Sequence, residues 1–130
     1  MIRVILLCML IAALEGCAAL NEPGERAWLA AHAVDVAQTR TFRNDPCIEE
    51  VDPFTRSLIG REPSTGATIA WGVGMAAFHV GVTELLLRTD HPRVAKVWEW
   101  VSFTEKGITV ARNHRLGARI SGNNSMGCMR

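Results

Sequence analysis

The sequence predicts an all-α fold: a small three-helix domain with a long Pro/Gly-containing loop between helices 1 and 2, preceded by a signal peptide. Three observations carry this. Residues 25–43 and 68–87 are rich in Ala, Leu and Val, with few breakers of a helical pattern. A third stretch opens with Asp90 and Pro92 and has Gly117 just past its end, the usual order of helix start and stop signals. Between the first two, Pro46, Pro53, Pro63, Gly60 and Gly66 break the pattern. The expected organisation is a leader at residues 1–16, a tether at 17–24, the helical domain at 25–117 and a polar tail at 118–130.

The leader opens with Met1-Ile2-Arg3 and continues as an unbroken apolar run over residues 4–14. That run is too short to cross a bilayer, which takes about 20 residues. A charged start, a short apolar middle and a small-residue exit are the parts of a secretory signal peptide. The exit, Leu14-Glu15-Gly16-Cys17, resembles the bacterial lipobox, with Glu15 as its one departure. The resemblance implies acylation of Cys17 and cleavage before it, so the implied partner is membrane lipid. Ala18 rather than aspartate after the cysteine resembles the sorting pattern of the outer membrane, which implies the periplasmic side of a cell envelope. An uncleaved, buried N-terminal helix holding Cys8 and Cys17 is the alternative.

What remains after residue 16 is long enough for one small core. The whole chain has a formal net charge of +1, but its charges are unevenly placed. From Lys106 onward come Arg112, Arg115, Arg119 and Arg130 with no carboxylate, an end suited to anionic headgroups or to a helix C-terminus. Basic residues are too few to predict nucleic-acid binding. Cys47 and Cys128 either pair in an oxidising compartment or stay as two free thiols. No Cys-x-x-Cys spacing is present to suggest a thiolate zinc site.

In the first helix Trp28, His32, Asp35 and Thr39 share one face, and Asp35 borders a second stripe with Ala31, Gln38 and Phe42. A partly buried Asp35 follows. Residues 44–67 are expected to form a long loop with one short helical turn at 54–59, clamped over the core by Phe54, Leu58 and Ile59. Residues 68–87, TIAWGVGMAAFHVGVTELLL, follow the capping candidates Ser64 and Thr65 and are apolar on nearly every side. They predict a central buried helix or, alternatively, a transmembrane span. His79, Glu84 and three glycines oppose the span, since ionisable groups in lipid are costly. Ala70, Gly74, Ala77 and Gly81 align as a surface for close helix approach. In the third helix Val94, Trp98, Val101, Glu105 and Ile108 form the expected inward stripe, with Lys96, Glu99, Lys106 and Arg112 off it.

Polar residues on these faces must find partners. Asp35, Gln38, His79, Glu105 and Asn113 are therefore the candidate buried network, with His79 donating to Asp35 or Glu105 and fixing helix register. The same His79 with either carboxylate gives an outside alternative, a metal-assisted or carboxylate-based hydrolase. No di-iron Glu-x-x-His repeat, His-Glu-x-x-His or Gly-x-Ser-x-Gly motif supports it, and the glycines of WGVGMA do not follow a strand. No catalytic residue, cofactor or metal is expected.

Taken together, Asp35, Gln38 and Thr39, then Glu50, Asp52 and Pro53, then Ile59, Gly60, Pro63 and Ser64, then His79, then Asn113 with Gly117, resemble the pattern of a family of small bacterial envelope lipoproteins and membrane proteins. The resemblance implies a helical, membrane-associated protein and supplies no substrate. The functional expectation is a lipid-anchored envelope protein with a structural or binding role, possessing an envelope protein partner. A small integral membrane protein spanning at residues 68–87 is the competing class.

Overall fold

The computed structural model describes residues 18–41 and 52–118. Cys17, Cys47 and Cys128, and with them the anchor and the disulfide expectations, lie outside the described residues. After a 3-10 turn at Ala18–Asn21, four α-helices follow: α1 (Pro23–Thr39), α2 (Pro53–Ile59), α3 (Thr65–Arg88) and α4 (Pro92–Arg115). Strands are absent among the described residues, and the all-α class is correct. Helices α1, α3 and α4 pack as a three-helix bundle, with α2 against α3.

Each helix begins and ends for a local reason. Pro23 supplies the fixed φ that suits the first helical position of α1, and Thr41 Oγ1 donates to the Gln38 carbonyl at its end (2.7 Å). Asp52 accepts from the Thr55 amide at 2.7 Å to start α2, and Gly60, at φ 88°, stops it. Ser64 accepts from the Ala67 amide at 3.1 Å to cap α3. At the end of α4, Gly117 at φ 93° closes a Schellman motif. Its amide donates to His114 and that of Ala118 to Asn113.

Asp90 departs from expectation. It does not cap α4, whose N-cap is His91 with no side-chain cap bond. Instead it takes φ 60° and ends α3: its amide donates to the Leu87 carbonyl (3.3 Å) and the His91 amide to that of Leu86 (2.8 Å). Aspartate is one of the few side chains that visits this left-handed region, which glycine usually fills.

The larger correction concerns what faces inward. α3 is not a buried apolar helix. Thr68, Gly72, His79 and Thr83 are its buried residues, with Val80, whereas Ile69, Val73, Phe78 and Leu85 point outward. The aligned Gly74 and Gly81 face open space, and close approach occurs at Gly72, where a Cβ would meet Val36 Cγ2 at 2.7 Å. α4 is inverted in the same sense: Val94, Val101 and Ile108 are exposed while Ala95, Glu99 and Lys106 are buried. Phe54 and Leu58, expected to cover the core, are instead mostly exposed.

Candidate functional site

A polar seam runs through the bundle. On α1 the inward residues are Glu25, Trp28, His32, Asp35 and Thr39, spaced alternately by three and four, with Gln38 beside them. On α4 they are Glu99, Lys106 and, partly buried, Asn113, each one heptad from the next. Side chains at such spacing stack along one line of a helix. Hence two polar lines face each other across the bundle, with the polar face of α3 closing the third side.

At one end His79 of α3 reaches Glu25. Its Nδ1 donates to both carboxylate oxygens at 2.9 and 3.0 Å, and Thr83 Oγ1 donates to Oε2 at 2.6 Å. The imidazole lies between two indoles, stacked on Trp28 at 3.8 Å between centroids and on Trp98 at 4.7 Å. His79 is 2% exposed, and its Nε2 is buried without a hydrogen-bond partner. Beside this group, Glu99 is 1% exposed and neither of its oxygens has a hydrogen bond of good geometry. Burial, reinforced by the nearby Glu22 and Glu25 carboxylates, pushes the Glu99 carboxyl above its usual range; Lys96 and the Glu25 backbone oppose the shift. Glu99 presses on the first turn of α1, where only glycine fits: a Cβ on Gly24 would meet Glu99 Oε2 at 2.5 Å and Cβ at 2.8 Å.

In the middle, Trp28 also stacks on His32 at 4.7 Å, and His32 Nε2 donates to the Gly72 carbonyl at 2.9 Å. A carbonyl only accepts, so the proton sits on Nε2 and Nδ1 is left bare. Burial holds His32 below the usual histidine range, against the Gly72 hydrogen bond, which favours the charged form. At the far end Asp35 is held twice, by Lys106 Nζ at 3.1 Å and Asn113 Nδ2 at 3.0 Å, while Gln38 Nε2 donates to the Val110 carbonyl at 3.3 Å. Lys106 Nζ also lies 5.6 Å from the Trp71 ring centroid. This end forms the floor of a cleft of about 460 Å³ walled by Trp71, Met75 and Phe54, with Glu105 and Arg112 at its sides.

The structure thus brings Asp35, Gln38 and Asn113 together and buries His79 farther along the same seam. Glu105 stays outside: it is exposed, and its Oε1 accepts from Thr109 at 3.2 Å. Neither Asp35 nor Glu105 pairs with His79, because Glu25 occupies that position. Sequence reasoning missed Glu25, Glu99 and Lys106, placing the last two off the inward stripe of the third helix. Their signal was the seven-residue spacing Glu25–His32–Thr39 and Glu99–Lys106–Asn113. Among the described residues, no group of three His, Cys, Asp or Glu side chains could hold a metal ion. Chemically the seam can hold protons and fix helix register. Its ends differ, an acid–imidazole cluster at one and a closed ion pair at the other.

No protein-family model, curated protein or solved structure matches the chain.

Proposed function

We propose that this chain is a membrane-attached protein of the cell envelope with a structural or binding role, held by acyl groups on Cys17 and by the outward face of α3. One observation carries the reading. The helix is inverted for water: Val73 and Phe78 are 63% and 59% exposed, while His79 is 2% and Thr83 0% exposed. Contiguous apolar surface of this kind on a small domain marks a partner or a membrane.

The described N-terminal turn packs on α3. Ala19, two residues after Cys17, donates its amide to Glu84 of α3 at 3.0 Å. This contact supports an attachment on the α3 side of the bundle. Lying in the interface suits the bundle better than crossing it. At 24 residues α3 is long enough to span, being about 36 Å at 1.5 Å per residue. However, α4 packs along it and exposes Lys96 and Glu105. Carrying such groups to mid-bilayer costs about 2.5–3.5 kcal/mol each on the insertion scale for Asp, Lys and Arg. An interfacial helix buries its apolar face only about 5–10 Å deep and keeps those charges wet.

Fatty-acid labelling and alkaline carbonate extraction test this reading together. Wild type is expected to incorporate label and Cys17→Ser to incorporate none. Unacylated chain is expected to leave membranes in carbonate, as an interfacial protein does. Retention in carbonate with protease cleavage on both sides of the membrane would establish the span instead.

A further inference from the structure

Helix α4 has a second outward face that the seam does not use. Val94, Val97, Val101, Thr104 and Ile108 recur at alternating spacings of three and four, and all are exposed, with Trp100 beside them at 43%. The same line continues into charge: Arg93 lies four residues before Val97, and Arg112 and Arg115 lie four and seven after Ile108, all three exposed. Lys96 flanks the stripe on one side and is also exposed; Glu105 is the single carboxylate, on the other side, where it also borders the cleft.

The geometry points to this face of α4 as a docking surface for anionic lipid headgroups, with Trp100 and the valines entering the interface and Arg93, Lys96, Arg112 and Arg115 reading the negative charge. The inference rests on the membrane reading of α3 and adds the class of lipid. An apolar stripe with a tryptophan and arginines at both ends has the composition of an interfacial helix. Charge complementarity selects lipid over a second copy of the chain. Antiparallel pairing of two α4 stripes centred on Val101 brings Arg93 of one copy within about one helical turn of Arg112 of the other, and parallel pairing sets each arginine beside its own equivalent. Both bring like charges together, which an anionic surface instead neutralises. Lys106, basic in the sequence, contributes nothing here because Asp35 holds it inside.

The test makes the full chain by cell-free translation, without acylation, in the presence of phosphatidylcholine vesicles with or without phosphatidylglycerol. Flotation measures binding, and bromine-labelled acyl chains report on tryptophan depth. The expected result is tighter binding to the anionic vesicles, weakened by salt, and bromine quenching that disappears in Trp100→Phe. Arg93→Gln, Arg112→Gln and Arg115→Gln combined should lower that affinity roughly a hundred-fold, at about five-fold per charge. These positions are exposed, so circular dichroism should be unchanged. Equal binding to both vesicle types with Trp100 unquenched would overturn the lipid class and leave the α3 reading standing. Binding to neither would overturn both. Disulfide-linked dimers through Val101→Cys, with Trp100 unquenched, would make a second copy the occupant and overturn the inference.

Discussion

Gly24 and Glu99 show how tightly single residues are fixed in the seam. The carboxyl of Glu99 fills the space a side chain on Gly24 would need, with its Cβ 2.8 Å from the position of a Gly24 Cβ. Gly24→Ala is expected to destabilise the fold by about 1–3 kcal/mol in denaturant unfolding, the usual range for overpacking. Glu99 itself sets a pH dependence. Its folded value is raised above 4.5, so its contribution is fully present below the unfolded value and is lost as pH rises through the folded one. Glu99→Gln should therefore stabilise the protein at neutral pH and lose that advantage near pH 4, a comparison that equilibrium unfolding at the two pH values decides. His32 acts with the opposite sign. Its value is lowered from 6.5, so its contribution is present above 6.5 and is lost as pH falls toward the folded value. Asp90 is a local exception to comfortable geometry at φ 60°. Asp90→Gly should raise stability by about 1 kcal/mol, seen as a higher unfolding midpoint, because glycine takes the left-handed region freely.

At the scale of the helices, the pair Asp35–Lys106 joins α1 to α4, with side chains only 4% and 11% exposed. Lys106→Ala leaves a buried carboxylate with Asn113 as its remaining partner and should cost about 3–5 kcal/mol. The double variant Asp35→Leu, Lys106→Met should cost less than either single change, because no charge is stranded. A double-mutant cycle in denaturant measures the difference. The helices themselves were legible in sequence because their signals are local: Ser64 caps α3, Pro92 opens α4 and Gly117 closes it, each within a few residues of where it acts. Asp90 was misread because aspartate serves both as a helix start and, less often, as a left-handed stop. Orientation was illegible for a different reason. Reading Val94, Val101 and Ile108 as an inward stripe assumes that water surrounds the domain, and the same period fits either face. Only the paired lines Glu25–His32–Thr39 and Glu99–Lys106–Asn113 distinguish the two, and they become meaningful once α1 and α4 are known to touch. Asp35 was found because it sits among apolar neighbours in sequence, whereas Lys106 lies between Glu105 and Gly107 and resembles any solvated charge.

For the molecule as a whole, the buried hydrophobic side chains are few and mostly small, namely Ala19, Trp28, Val80, Ala95 and Ala118 among the described residues. In water such a core supplies little burial, while Val73, Phe78, Leu85 and Val101 remain exposed. On the membrane reading proposed above, lipid against α3 and α4 would resolve the imbalance. The most direct test of this claim is the membrane-bound fraction of the Cys17→Ser chain at neutral pH, compared with the same chain carrying Val73→Glu and Phe78→Glu. The unacylated chain is expected to remain substantially with membranes, and the two glutamates to release it with its helical content intact. Equal partitioning of the two chains would contradict the claim.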